Sequence, residues 1–130
     1  MNNKIFISLI FTLVLVNSKT TKPIGSWTNA LGSILFIVEI SNMDSSMSGG
    51  YISNVGNVSR SNALIGYYYN NLMGWTVIWN SMSPSMTVWV GQYFYPDTIV
   101  TMWLLSTQVN QTQDRWQSTI TGSDVFTRVG

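Results

Sequence analysis

The sequence contains no cysteine and no histidine, and only 8% of its 130 residues are charged, against roughly 25% in an average soluble domain. Without cysteine there is no disulfide, no thiolate nucleophile and no Cys-ligated zinc or iron–sulfur site. Without histidine the commonest general base and the commonest metal ligand are missing. No Ser-centred nucleophile turn compensates, so no catalytic residue, metal ligand or cofactor is assigned, and an enzyme is not expected. Six Lys or Arg against five Asp or Glu leave a formal charge of +1 with no basic run. A nucleic-acid partner held through phosphate contacts is therefore not expected.

What remains is 45% hydrophobic and 13% aromatic, enough to build a core and to argue against disorder. The length suits one domain. A single long apolar run occurs, from Ile5 to Val16, broken by Ser8 and Thr12 and preceded by Lys4. It is short of the roughly 20 residues a membrane helix needs, and it has the pattern of a secretory signal peptide. The expected organisation is a signal over residues 1–18, a polar leader over 19–24 and a folded domain over 25–130. The expected location is outside the cell, with no membrane partner.

The domain reads as strands from end to end. Turn signals recur at Gly32, Ser41-Asn42, Gly49-Gly50, Gly56-Asn57, Asn70-Asn71, Ser83-Pro84, Pro96-Asp97, Asn110 and Gly122. Between them lie runs rich in Val, Ile, Thr, Tyr, Phe and Trp, which suit a pleated, half-buried surface. The clearest are Ile34–Ile40, 74–79, 86–95, 98–105 and 118–128. Trp75, Val77 and Trp79 share one face of their strand, as do Ser85, Thr87 and Trp89. The segment 59–72 reads as an Asn- and Tyr-rich connection, and one helical turn is expected near 110–116. The fold class is all-β, with about eight strands. An eight-stranded antiparallel up-and-down β-barrel fits, because closure removes sheet edges that so few charges could protect. A barrel of this size has room for side chains or one small ligand.

Four segments then carry a resemblance. Gly25-Ser26-Trp27-Thr28-Asn29-Ala30-Leu31-Gly32-Ser33, Gly74-Trp75-Thr76-Val77-Ile78-Trp79, Thr101-Met102-Trp103-Leu104-Leu105 and the ending from Trp116 to Phe126-Thr127-Arg128 resemble the avidin family. They occur in family order and span nearly all of 25–130. The resemblance implies a secreted, non-catalytic protein that holds biotin with high affinity in one end of the barrel.

By that resemblance, Asn29, Ser33 and Tyr51 are donors to the ureido carbonyl oxygen, and Ser53 and Asp124 accept from the two ureido N–H groups. Three donors converging on one oxygen draw negative charge onto it, and a carboxylate at 124 makes the opposing bond charge-assisted. Thr87 faces the thioether sulfur. Trp79, Trp89 and Trp103 form aromatic walls, with Leu31, Val55 and Leu105 beside them. Asn57 and Ser85 meet the valerate carboxylate, and Trp116 reaches into a neighbouring subunit's site. The implied assembly is a homotetramer, with a dimer as the alternative, since Thr121 and Ser123 stand where part of the family has apolar interface residues. Pro84 is an insertion near the site relative to the family.

Each residue alone has a plainer role. A single barrel Trp is usually core, Asn29 and Ser33 suit turns, and Asp124 suits a solvated strand edge. Six Trp in so small a chain exceed what packing ordinarily uses. The alternative function is a secreted barrel that binds a different small apolar ligand, or acts as an inhibitor or adhesion module. It would be favoured if Asn29, Ser33, Tyr51 and Asp124 pointed outward.

Overall fold

Period-two alternation dictates the architecture. The structure is a computed structural model and describes residues 21–55, 60–80 and 83–130. The expected signal peptide and Asn57 lie outside the described residues. Eight strands follow one another: β1 (Gly25–Thr28), β2 (Ile34–Ile40), β3 (Ser46–Ile52), β4 (Ser61–Tyr69), β5 (Leu72–Trp79), β6 (Ser85–Phe94), β7 (Thr98–Thr107) and β8 (Thr119–Arg128). Each pairs antiparallel with its sequence neighbours, and β1 pairs with β8, which closes the barrel. A 3-10 helix, Thr112–Gln117, bridges β7 and β8, where a single helical turn was expected.

Along β6, Thr87, Trp89 and Tyr93 are buried while Val88, Val90 and Phe94 face out. Along β5, Met73, Trp75 and Val77 are buried in the same rhythm. Side chains that repeat every two residues fill the barrel from all sides. The register slips between Ile37 and Glu39 of β2, a bulge that leaves both Val38 and Glu39 exposed.

One expectation is corrected. Residues 59–72 are not mainly a connection: Ser61–Tyr69 is strand β4, paired with β3 and β5. Its inward positions include Asn62, Leu64 and Gly66, so polar and glycine residues break the apolar rhythm that marks the other strands. Asn70 and Asn71 both have left-handed φ, 47° and 68°, which suits the tight hairpin between β4 and β5.

One end of the barrel is filled. Trp27, Ile37, Met47, Tyr93 and Ile99 are buried there, each worth about 1.5–3 kcal/mol of apolar burial. Arg128 fastens this end. Its guanidinium lies 4.3 Å over the Trp27 ring. It donates to Ile24 O at 2.7 Å, Pro96 O at 3.0 Å and the Tyr93 hydroxyl at 3.2 Å.

Candidate functional site

The opposite end is hollow. A cavity of about 520 Å³ opens there, within the range of small-molecule sites. It is reached from the C-terminal ends of β3, β5 and β7 and the N-terminal ends of β4, β6 and β8. Of the described residues singled out from sequence as ligand contacts, all but Trp116 line it. Trp116 sits on the 3-10 helix with 78% of its surface exposed.

The β1–β2 turn builds the first polar wall. Gly32 takes φ +81° there, a conformation that favours glycine. The Asn29 side-chain oxygen accepts from the backbone N–H groups of Leu31 (3.2 Å) and Ser33 (3.0 Å). This Asx-type turn settles which way the amide faces. Its Nδ2 therefore points across the barrel, where it donates to Asp124 Oδ1 at 3.1 Å. An amide nitrogen carries two hydrogens, so this bond uses one of them.

Ser33 Oγ accepts from the Asn54 N–H at 3.0 Å, and Asn54 Nδ2 donates to Leu31 O at 2.8 Å. Asn54 thereby ties the turn after β1 to the loop after β3. Tyr51 lies within hydrogen-bonding reach of Ser33 and Asn29. Burial pushes its phenol up to about 12, the Asp124 charge adding to the rise, while hydrogen bonds from Ser33 and Asn29 partly oppose it. The hydroxyl thus keeps its proton throughout the neutral range and can donate. An amide and two hydroxyls are gathered in one corner.

The acceptors stand on other strands. Asp124 on β8 accepts from Asn29 at Oδ1 and from Trp89 Nε1 at Oδ2, 3.0 Å. Among the described lining residues it is the one carrying charge. Ser53 donates its own proton to Val55 O at 3.2 Å, which leaves Oγ as an acceptor. It already accepts from Val55 N–H at 3.1 Å. Thr87, buried in β6, accepts from Trp79 Nε1 at 2.8 Å. Its hydroxyl proton is not used in that bond.

Aromatic rings supply the walls. Tyr51 packs on Trp89 at 4.8 Å and edge-on to Trp79 at 5.9 Å. Trp75 stacks behind Trp89 at 5.5 Å and 14°, holding that wall from the core side. Trp103 on β7 faces the cavity with Leu105. Leu31 and Val55, both exposed, stand at the mouth. Pro84 O accepts from Gln108 N–H at 2.9 Å, joining the segment before β6 to the end of β7. The chemistry on offer is a donor corner, separate acceptors and an aromatic sleeve. That suits a ligand with a urea-like head, one carbonyl oxygen flanked by N–H groups, and an apolar body.

Asn62, Asn80, Ile120 and Ser123 also line the cavity, and sequence reading missed them. Asn62 pairs with Tyr51 across β3 and β4, so it becomes visible once β4 is recognised as a strand. Ile120 lies four residues before Asp124 on the same face of β8. Asn80 directly follows Trp79 at the rim. Ser123 breaks the alternation, and no sequence signal marks it.

The chain is similar to known proteins over most of its length. The model of the avidin family matches residues 17–129. Avidin-related protein 4/5 of Gallus gallus is 33% identical over 137 residues, covering 96% of this chain and 89% of the relative. Avidin of Gallus gallus is 32% identical over 138 residues, covering 93% and 90%. The crystal structure of Xenavidin superposes with a TM-score of 0.74 at 35% identity, covering 83% of this chain and 98% of that one.

Proposed function

This chain belongs to the avidin family, and we propose that it is a non-catalytic biotin-binding protein that takes one biotin into the open end of each barrel. The observation that carries the reading is the donor corner of Asn29, Ser33 and Tyr51 sharing one cavity with Asp124. All four side chains turn inward, which favours this reading over a barrel for an unrelated apolar ligand. Donors on the ureido oxygen and acceptors on its N–H groups polarise one conjugated unit in the same sense, so the bonds reinforce one another. Trp79, Trp89 and Trp103 enclose the fused rings. In this reading Ser53 offers an acceptor to the second ureido N–H and Thr87 a hydroxyl to the thioether sulfur. Ser85, Asn57 and the rim residues Asn62 and Asn80 stand for the carboxylate tail.

Export from the cell, with removal of residues 1–18, is part of the same reading, supported by the apolar N-terminal run. So is self-association. Val88 and Val90 on β6 and Met102 and Leu104 on β7 are exposed apolar side chains on the outside of adjacent strands. A patch of this kind suits a protein interface. Tetramer is the proposed state, with Trp116 extending toward a neighbour's cavity.

Calorimetric titration of the purified protein with biotin tests the reading. One biotin per chain is expected, together with a strong rise in melting temperature, since a ligand that binds only the folded state stabilises it by mass action. A flat titration and an unmoved melting curve would reject it.

A further inference from the structure

Gly122 lies midway along the inward row Ile120, Gly122, Asp124 of β8, directly opposite Trp103 of β7. Its backbone does not require glycine. Left-handed φ occurs at Gly25, Gly32 and Gly130 among the described glycines, and not here. What it lacks is space. A Cβ on Gly122 would stand 2.2 Å from Cζ2, 2.5 Å from Cε2 and 2.9 Å from Cη2 of Trp103. Ordinary carbon–carbon contact is about 3.5–4.0 Å. The Trp103 indole therefore lies directly over the bare backbone of β8, and any side chain at 122 forces the ring or the strand to shift.

We infer that Gly122 is a specificity-determining residue: by leaving room for the Trp103 ring to lie flat on β8, it sets how wide a ligand body the cavity accepts. The inference rests on reading the cavity as the biotin site. Gly122 itself offers no functional group to a ligand. It acts through Trp103, so it is a positioning residue whose effect is on shape.

The test is a double-mutant cycle in the full protein, with Gly122→Ala, Trp103→Leu and the double variant. Leu at 103 removes every indole atom that the new methyl would meet. Two readouts are taken: thermal stability without ligand, and affinity for biotin and for dethiobiotin, a slimmer analogue with the same urea head but no thioether ring. Gly122→Ala should lower stability and weaken biotin at least about tenfold, a change of about 1.4 kcal/mol. Dethiobiotin should lose less, so the preference for biotin falls. In the Trp103→Leu background the same Gly122→Ala change should alter each quantity less than about twofold, because interacting residues are non-additive.

Equal losses in both backgrounds, or an unchanged ligand preference, overturn the inference. If Gly122→Ala does not fold, folding of the double variant supports the inference and failure of both overturns it. A wild-type protein that ignores biotin defeats the functional reading and the specificity role with it, whereas a biotin-binding wild type with an additive cycle overturns the inference alone.

Discussion

At the filled end of the barrel, aromatic donors are spent on the backbone: Trp27 Nε1 donates to Pro23 O at 3.0 Å and the Tyr93 hydroxyl to Pro96 O at 3.3 Å. At the hollow end they are spent on side chains, Trp79 on Thr87 and Trp89 on Asp124. The two ends use similar residues for different ends. A backbone carbonyl that receives an indole N–H anchors the ring and does nothing more. A hydroxyl or carboxylate that receives one is oriented by it and retains further hydrogen-bonding capacity toward the cavity. The filled end thus provides stability, and the hollow end holds the proposed recognition groups in place in advance, which would lower the ordering cost of binding.

Trp27→Ala breaks this contrast most severely. It removes a fully buried ring together with its contacts to Tyr93 and Arg128 and should cost about 3–5 kcal/mol of stability. Trp103→Leu at the hollow end should cost less stability and more biotin affinity. Urea unfolding midpoints and calorimetry on both variants check this, and equal stability losses would erase the distinction between the ends.

Asp124→Ala sharpens it from the ligand side. The carboxylate holds Asn29 and Trp89 and is the proposed acceptor for a ureido N–H, so its loss should cost about 1–3 kcal/mol of binding. Thr87→Ala should cost less, since it forfeits a weak contact to sulfur and one neutral hydrogen bond from Trp79, whereas Asp124 carries charge and holds two groups. Matched titrations decide, and comparable losses would count against the assigned roles. Trp116→Ala should leave each barrel's fold intact, because the side chain is exposed, yet loosen the assembly and hasten biotin release. Light scattering and dissociation rates measure both; unchanged values would make Trp116 a surface residue without a partner.

The smallest effect is alkaline. Burial holds Tyr51 protonated up to about 12, while a tyrosine in the unfolded chain ionises near 10. The unfolded state therefore loses its proton first. The contribution is complete below about pH 10 and fades as pH rises toward 12. Tyr68 is also raised by burial, so Tyr51→Phe should flatten the decline without abolishing it. Melting temperatures recorded across that window test the slope.

Most of the barrel was legible because alternation is local. Ile34–Ile40 matches its strand end to end, and the runs at 86–95 and 98–105 closely match β6 and β7. Strand β4 was not, because Asn62 and Gly66 occupy inward positions that apolar residues fill elsewhere. The site residues were legible mainly through family resemblance. Asn62, Asn80 and Ser123 escaped because nothing local distinguishes a polar residue beside a cavity from one in solvent.

The order of residues by itself determined which side chains face inward, since a strand alternates its faces whatever lies opposite. It also determined the turns, where Gly32, Asn70 and Asn71 accept a left-handed backbone. Only the tertiary structure decided that one end is packed and the other empty. Emptiness depends on the distance between facing walls, which exists only once β1 has met β8. The same closure brings the Asn29 amide to the carboxylate of Asp124, 95 residues further along the chain, and lays the Trp103 ring over the one place on β8 that has no side chain to oppose it.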